Sequence, residues 1–225
     1  EFRRVLFRSA MTGEIESLLT QENAQPLQTV AGVPFYQIRP DVIACAGGVS
    51  KVNAAMATQL LISLYQPDLV LNAGVAGCFE NMPIGSIVLA EGFLQHDVDT
   101  STLGDRVGLV STVNRVQFPT SDPDRARAAM DRVGVPYRTG WVATGDWFAT
   151  DTPRAHWIAD TFHPLLCDME GCADAQVCLR NNVPFMSIKS VSDCLFEHHD
   201  FVFNFPTAMR DLNRVVMAFV DQLEA

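Results

Sequence analysis

The sequence predicts a single three-layer α/β/α domain with a central mixed, mainly parallel sheet. Three observations carry this. Short apolar runs bounded by turn residues suit strands buried on both faces. Between them lie segments whose apolar residues recur at three and four, as in amphipathic helices. The two kinds alternate from residue 13 onward with no internal repeat, linker or composition break. With 225 residues, 48% of them apolar and 19% charged, the chain can bury one sizeable core.

Residues 1–9 stand where such a chain has its first strand, and Val5, Leu6 and Phe7 can pair as one. Arg3, Arg4 and Arg8 fit a buried strand badly. The segment also has neither the apolar stretch nor the small-residue cleavage site of a secretory signal. We read residues 1–9 as a non-native, artefactual segment replacing native strand residues, and 10–225 as the domain. A helix starts near Thr12. Strands follow at 41–46, 68–73, 85–90, 141–144 and 184–189, and helices at 52–65, 122–133, 169–180 and 206–223. The stretch 91–121, poor in helix signals and rich in Asp, Thr and Gly, reads as strand plus long loops, which in a compact domain are often functional.

Sixteen Lys and Arg against 26 Asp and Glu give a formal charge of −10, which argues against nucleic-acid or anionic-membrane partners. The ligand implied is small, and neutral or cationic. Six cysteines without a Cys-x-x-Cys pair read as buried thiols of a reducing cytosol. No apolar run reaches the roughly 18 residues of a membrane span, so a soluble, cytoplasmic protein is expected.

Several segments could carry chemistry. Ala46-Gly47-Gly48-Val49-Ser50-Lys51 and Asn72-Ala73-Gly74-Val75-Ala76-Gly77 read as glycine-rich turns after strands, where a ligand can approach the backbone. Neither fits a P-loop or dinucleotide fingerprint. Asp168-Met169-Glu170 opens a helical pattern, so its carboxylates either cap a helix or act on a ligand. Asp193, closing a strand, either caps a turn or, partly desolvated, holds a proton for a leaving group. Glu14 is equally readable as an ordinary first-turn acid. In His96-Asp97-Val98-Asp99, read as strand, His96 faces away from both aspartates, so the ligands of a metal would not converge. His198-His199 fares no better. No metal site is expected, and no Gly-x-Ser-x-Gly elbow points to acyl transfer.

Taken in order, these segments resemble the nucleoside phosphorylase/hydrolase superfamily, and within it the 5'-methylthioadenosine/S-adenosylhomocysteine nucleosidases. The matching pieces are Ala10-Met11-Thr12-Gly13-Glu14, both glycine segments, His96-Asp97-Val98-Asp99, Thr144-Gly145-Asp146-Trp147-Phe148, Asp168-Met169-Glu170 and Ser190-Val191-Ser192-Asp193. The resemblance implies a nucleoside phosphorylase-like fold and cleavage of an adenine thionucleoside by water, with no metal or organic cofactor. It gives Asp193 the proton for adenine N7, Glu14 the nucleophilic water and Glu170 the ribose hydroxyls. Met169 packs beneath the sugar and Phe148 stacks on the base. The Ala149 backbone reads the base edge, Gly77 lines the pocket and Ser192 orients Asp193. A homodimer is implied, with Leu103 where the family often supplies an aromatic residue to the neighbour's pocket, and Phe201 near the 5' end.

Two departures favour hydrolysis over phosphorolysis. Val75 stands where the superfamily frequently has Ser or Thr and donates no side-chain hydrogen bond, and no arginine cluster adjoins either glycine segment. Lys189 replaces the nucleosidases' frequent Arg. A purine-nucleoside phosphorylase, a futalosine-type hydrolase and a catalytically idle nucleoside-binding relative are the alternatives.

Overall fold

The computed structural model describes residues 4–197 and 201–224, the side chains of 201–203 and 224 excepted. The strands are β1 (Val5–Ser9), β2 (Gln25–Val30), β3 (Val33–Arg39), β4 (Val42–Ala46), β5 (Leu69–Cys78), β6 (Ile87–Gln95), β7 (Gln117–Pro119), β8 (Tyr137–Thr144), β9 (Leu166–Asp168) and β10 (Phe185–Cys194). The helices are α1 (Thr12–Gln21), α2 (Lys51–Tyr65), α3 (Pro123–Val133), α4 (Pro153–Phe162), α5 (Gly171–Asn181), α6 (Phe201–Met209) and α7 (Leu212–Glu224).

The sheet is mixed. Strands β4, β1, β5 and β10 run parallel in its centre. The β2–β3–β4 edge is antiparallel, as is β6 against β10 and β9 against β5. Parallel pairs β6–β8 and β8–β9 complete a ring through β5, β10, β6, β8 and β9. Alternation along each strand divides the apolar side chains between two faces. Val5, Phe7, Leu69 and Leu71 join a core with α1, α3 and α7, whereas Leu6 and Ile43 pack with α2 and Val70 with α5. This is the three-layer arrangement the sequence predicts.

Strand β1 sits in the middle of this sheet. Val5, Leu6 and Phe7 are buried there, each such side chain contributing about 1.5–3 kcal/mol on burial. Arg8 is fully buried as well, ion-paired with Asp174 at 3.4 Å and donating to the Gly48 carbonyl at 2.8 Å. Its Nε is buried without a hydrogen-bond partner.

Several boundaries differ from the sequence reading. Residues 72–77 are not a turn but the second half of β5, because β10 and β9 both offer their backbones to it. The strand read at 184–189 continues to Cys194 with an irregularity between Val191 and Asp193. The helix read at 206–223 is two, α6 and α7, with Pro206 inside α6. The pair His96-Asp97 follows the end of β6 as a turn, so the strand geometry argued for it does not apply. The edge hairpin β2–β3 and helix α4 had no counterpart in the sequence reading.

Candidate active site

The carboxyl ends of β5, β8 and β10, the start of α1 and the β9–α5 junction meet around a cleft of about 160 Å3, the edge at which open α/β sheets bind ligands. Of the residues assigned from sequence, Glu14, Val75, Gly77, Phe148, Ala149, Met169, Glu170, Ser192 and Asp193 all line it. Leu103 does not. It lies 82% exposed on a 3-10 turn, Ser101–Leu103, away from this cleft. The side chain of Phe201 and the pair His198-His199 lie outside the described residues. Val49, Trp147 and Cys167 also line the cleft and were not singled out for it. The sequence marks Trp147 as well, since it adjoins Phe148 in Thr144-Gly145-Asp146-Trp147-Phe148.

Glu14 is buried in the first turn of α1 and does cap that turn, accepting from the Met11 backbone at 2.8 Å. The same oxygen, Oε2, accepts from Ala10 N at 2.9 Å and Ser9 Oγ at 2.5 Å, while Oε1 accepts from Val75 N at 3.0 Å. Four donors thus fix both oxygens, and Oε1 keeps acceptor capacity on the cleft side. The capping and functional readings are not rivals at this residue.

Asp193 occupies the end of β10 beside Gly77 of β5. The Ser192 hydroxyl donates to its Oδ1 at 2.7 Å. Both glycines on β5 serve carboxylates. A Cβ on Gly74 would come within 2.6 Å of Glu14 Oε1, and one on Gly77 within 3.1 Å of Asp193 Oδ2 and 2.8 Å of Leu195. The close approach anticipated for a ligand is therefore made first by the protein's own acids.

At the β9–α5 junction the two carboxylates separate. Asp168 does the capping, accepting from Gly171 N at 3.0 Å, and also takes the Thr144 hydroxyl at 2.6 Å and the buried Lys189 ammonium at 2.8 Å. Burial pulls Lys189 down, but Asp168 outweighs it and the amine ends above its ordinary range. Glu170 does not cap α5; its Oε1 takes the Ser50 N–H at 2.9 Å. Burial first and the Asp168 charge second push Glu170 up to about 7, against the opposing pull of Arg8, Lys189 and the Ser50 bond. A second buried cluster lies behind it, where Asp174 receives Arg8, Thr58 Oγ1 at 2.7 Å and Asn72 Nδ2 at 3.0 Å. Nothing in the local sequence pattern pointed to this pair.

The remaining wall is the β8–α4 loop with Trp147, Phe148 and Ala149. It rests on His96, whose ring would lie 2.3 Å from a Cβ on Gly145 and meets Trp147 edge-on at 6.4 Å. Burial pushes His96 down to about 4, so it packs as a neutral ring. The result is a largely apolar lining into which the carboxylates of Glu14, Asp168, Glu170 and Asp193 are set.

A fold and cleft of this kind define a class that comparison with known proteins makes explicit. The sequence profile of the phosphorylase superfamily matches residues 4–221. The 5'-methylthioadenosine/S-adenosylhomocysteine nucleosidase of Shewanella loihica is 36% identical over 191 residues, covering 82% of this chain and 83% of the relative. The chain belongs to the phosphorylase superfamily and, within it, to the family of these nucleosidases. Among solved structures, the nucleosidase of Colwellia psychrerythraea in complex with adenine has a TM-score of 0.88 at 29% identity, over 99% of this chain and 96% of the other. Futalosine hydrolase of Helicobacter pylori has a TM-score of 0.90 at 22% identity over 98% of each chain, a likeness of fold.

Proposed function

We propose that the protein hydrolyses the N-glycosidic bond of 5'-methylthioadenosine and S-adenosylhomocysteine, and of 5'-deoxyadenosine, to adenine and a 5-substituted ribose. The observation that carries this is the convergence of Glu14, Glu170 and Asp193, from three separate elements, on one cleft with Phe148 and Met169. Adenine leaves as Asp193 gives a proton to N7 and the bond from N9 to the sugar breaks. Water adds to the sugar carbon and yields its proton to Glu14. The sugar gains positive charge on the way, and ionised Glu170, taking hydrogen bonds from its hydroxyls, favours that charge. Phe148 stacks on the base, the Ala149 backbone reads its edge, Met169 packs under the ribose, and Gly77 and Val75 close the floor.

Water is favoured over phosphate as nucleophile because no Arg or Lys lines the cleft among the described residues and the Val75 N–H is already committed to Glu14. A phosphorylase needs fixed donors or cations there. The same reading makes the protein a cytoplasmic homodimer of nucleoside catabolism and methionine salvage, with Leu103 and Phe201 reaching the 5' substituent, the former in the partner's pocket. All six cysteines are free and buried, which suits a reducing compartment. An adenine-release assay with the three nucleosides, with and without phosphate, tests it. Release in phosphate-free buffer is expected, and strict phosphate dependence overturns the reading.

A further inference from the structure

Two walls of the cleft come from segments far apart in the chain. The turn after β4 supplies Val49 and, through the Ser50 N–H, the one hydrogen bond that the Glu170 carboxylate receives among the described residues. The β8–α4 loop supplies Trp147, Phe148 and Ala149. Lys51, which opens α2 directly after the turn, and Asp146 of the loop meet at Asp97. The Lys51 ammonium pairs with Asp97 Oδ2 and lies 3.4 Å from Asp146 Oδ2. Asp146 N donates to Asp97 Oδ2 at 2.9 Å, and Lys51 N donates to Asp146 Oδ1 at 2.9 Å. Asp97 is itself held from β6, by Gln95 Nε2 at 3.1 Å, and Gln95 in turn by Gln176 of α5 at 2.9 Å.

An isolated surface ion pair is worth little, but this one is half-buried and cross-linked by two backbone donors. Burial pushes Asp97 up, yet Lys51 and the Asp146 N–H outweigh it and hold the carboxyl below its ordinary range. None of the three residues lines the cleft.

We propose that Asp97 is a positioning residue: through Lys51 and Asp146 it braces the turn that holds Glu170 against the loop that carries Phe148, keeping the sugar wall and the base wall in fixed relation. Its kinetic readout rests on the nucleosidase reading above. Its geometric readout does not.

The test is Asp97→Asn in the full chain, with Asp97→Glu as the conservative variant. KM for methylthioadenosine rises about tenfold while kcat stays within about threefold, the signature of a misplaced binding wall. The acidic limb of the kcat/KM profile moves to higher pH, because Glu170 loses an ordered Ser50 N–H while Asp168, Arg8 and Lys189, the charged groups facing it, stay in place. Amide hydrogen exchange rises together at 47–51 and 145–149, and Asp97→Glu recovers most of each change. Exchange rising only around residue 97, or a fall in melting temperature with KM and the pH limb unmoved, overturns the proposal. A wild-type protein that releases no adenine overturns the nucleosidase reading instead, and the exchange result then decides the brace alone.

Discussion

Glu14 and Glu170 are buried to a similar degree in one cleft, yet their surroundings differ in kind. Glu14 is held by four neutral donors, three of them backbone N–H groups. Glu170 takes a single backbone donor and sits among charges, with Asp168 against it and Arg8 and Lys189 for it. Hydrogen bonds fix where a carboxylate's oxygens point and favour its charged form, whereas burial and nearby buried ions push that charge both ways. The Glu14 corner is therefore built for position, as activating a water requires. The Glu170 corner is built for a balance of charge that pH can tip.

The contrast can be broken at graded cost. Glu14→Gln sets an amide against four donors, and kcat for adenine release falls by about 10²–10⁴, the range of acid–base catalysis, with KM little changed. Asp193→Asn gives a loss of the same order. Arg8→Met leaves Asp174 as an unpaired buried acid and costs about 3–5 kcal/mol of folding stability in denaturant titrations. It also moves the acidic limb of kcat/KM to higher pH, since Arg8 holds Glu170 down, whereas Arg8→Met/Asp174→Leu recovers part of the stability. Ser9→Ala removes one donor of four from Glu14 at a cost near 1 kcal/mol, read as a several-fold fall in kcat.

The strands that build the sheet centre were legible because a strand buried on both faces is a continuous apolar run, as in 41–46 and 68–73. Strand β2 left no such mark, being exposed along almost its whole length. Helix α4 did leave one, a Thr152 cap with Pro153 at the first position, which the loop-like residues before it obscured. Glycines 74 and 77 suggested a turn by composition. Their place inside β5 follows from carboxylates that approach from outside the strand. The acids of the site were visible as residue types, but local spacing fitted capping as well as catalysis. Only the fold separates Asp168, which caps α5, from Glu170, which does not. The Arg8–Asp174 pair joins residues 166 apart, a juxtaposition that no local pattern carries.

The most direct test of this account is the pH dependence of kcat/KM for methylthioadenosine in phosphate-free buffer, measured for wild type and Glu170→Gln. A carboxyl raised to about 7 is neutral below that pH, so wild-type kcat/KM should fall as pH drops through 7. The variant should be slower and lack that limb. A limb near 7 that persists in Glu170→Gln, or a wild-type rate that rises steadily toward low pH, would contradict it.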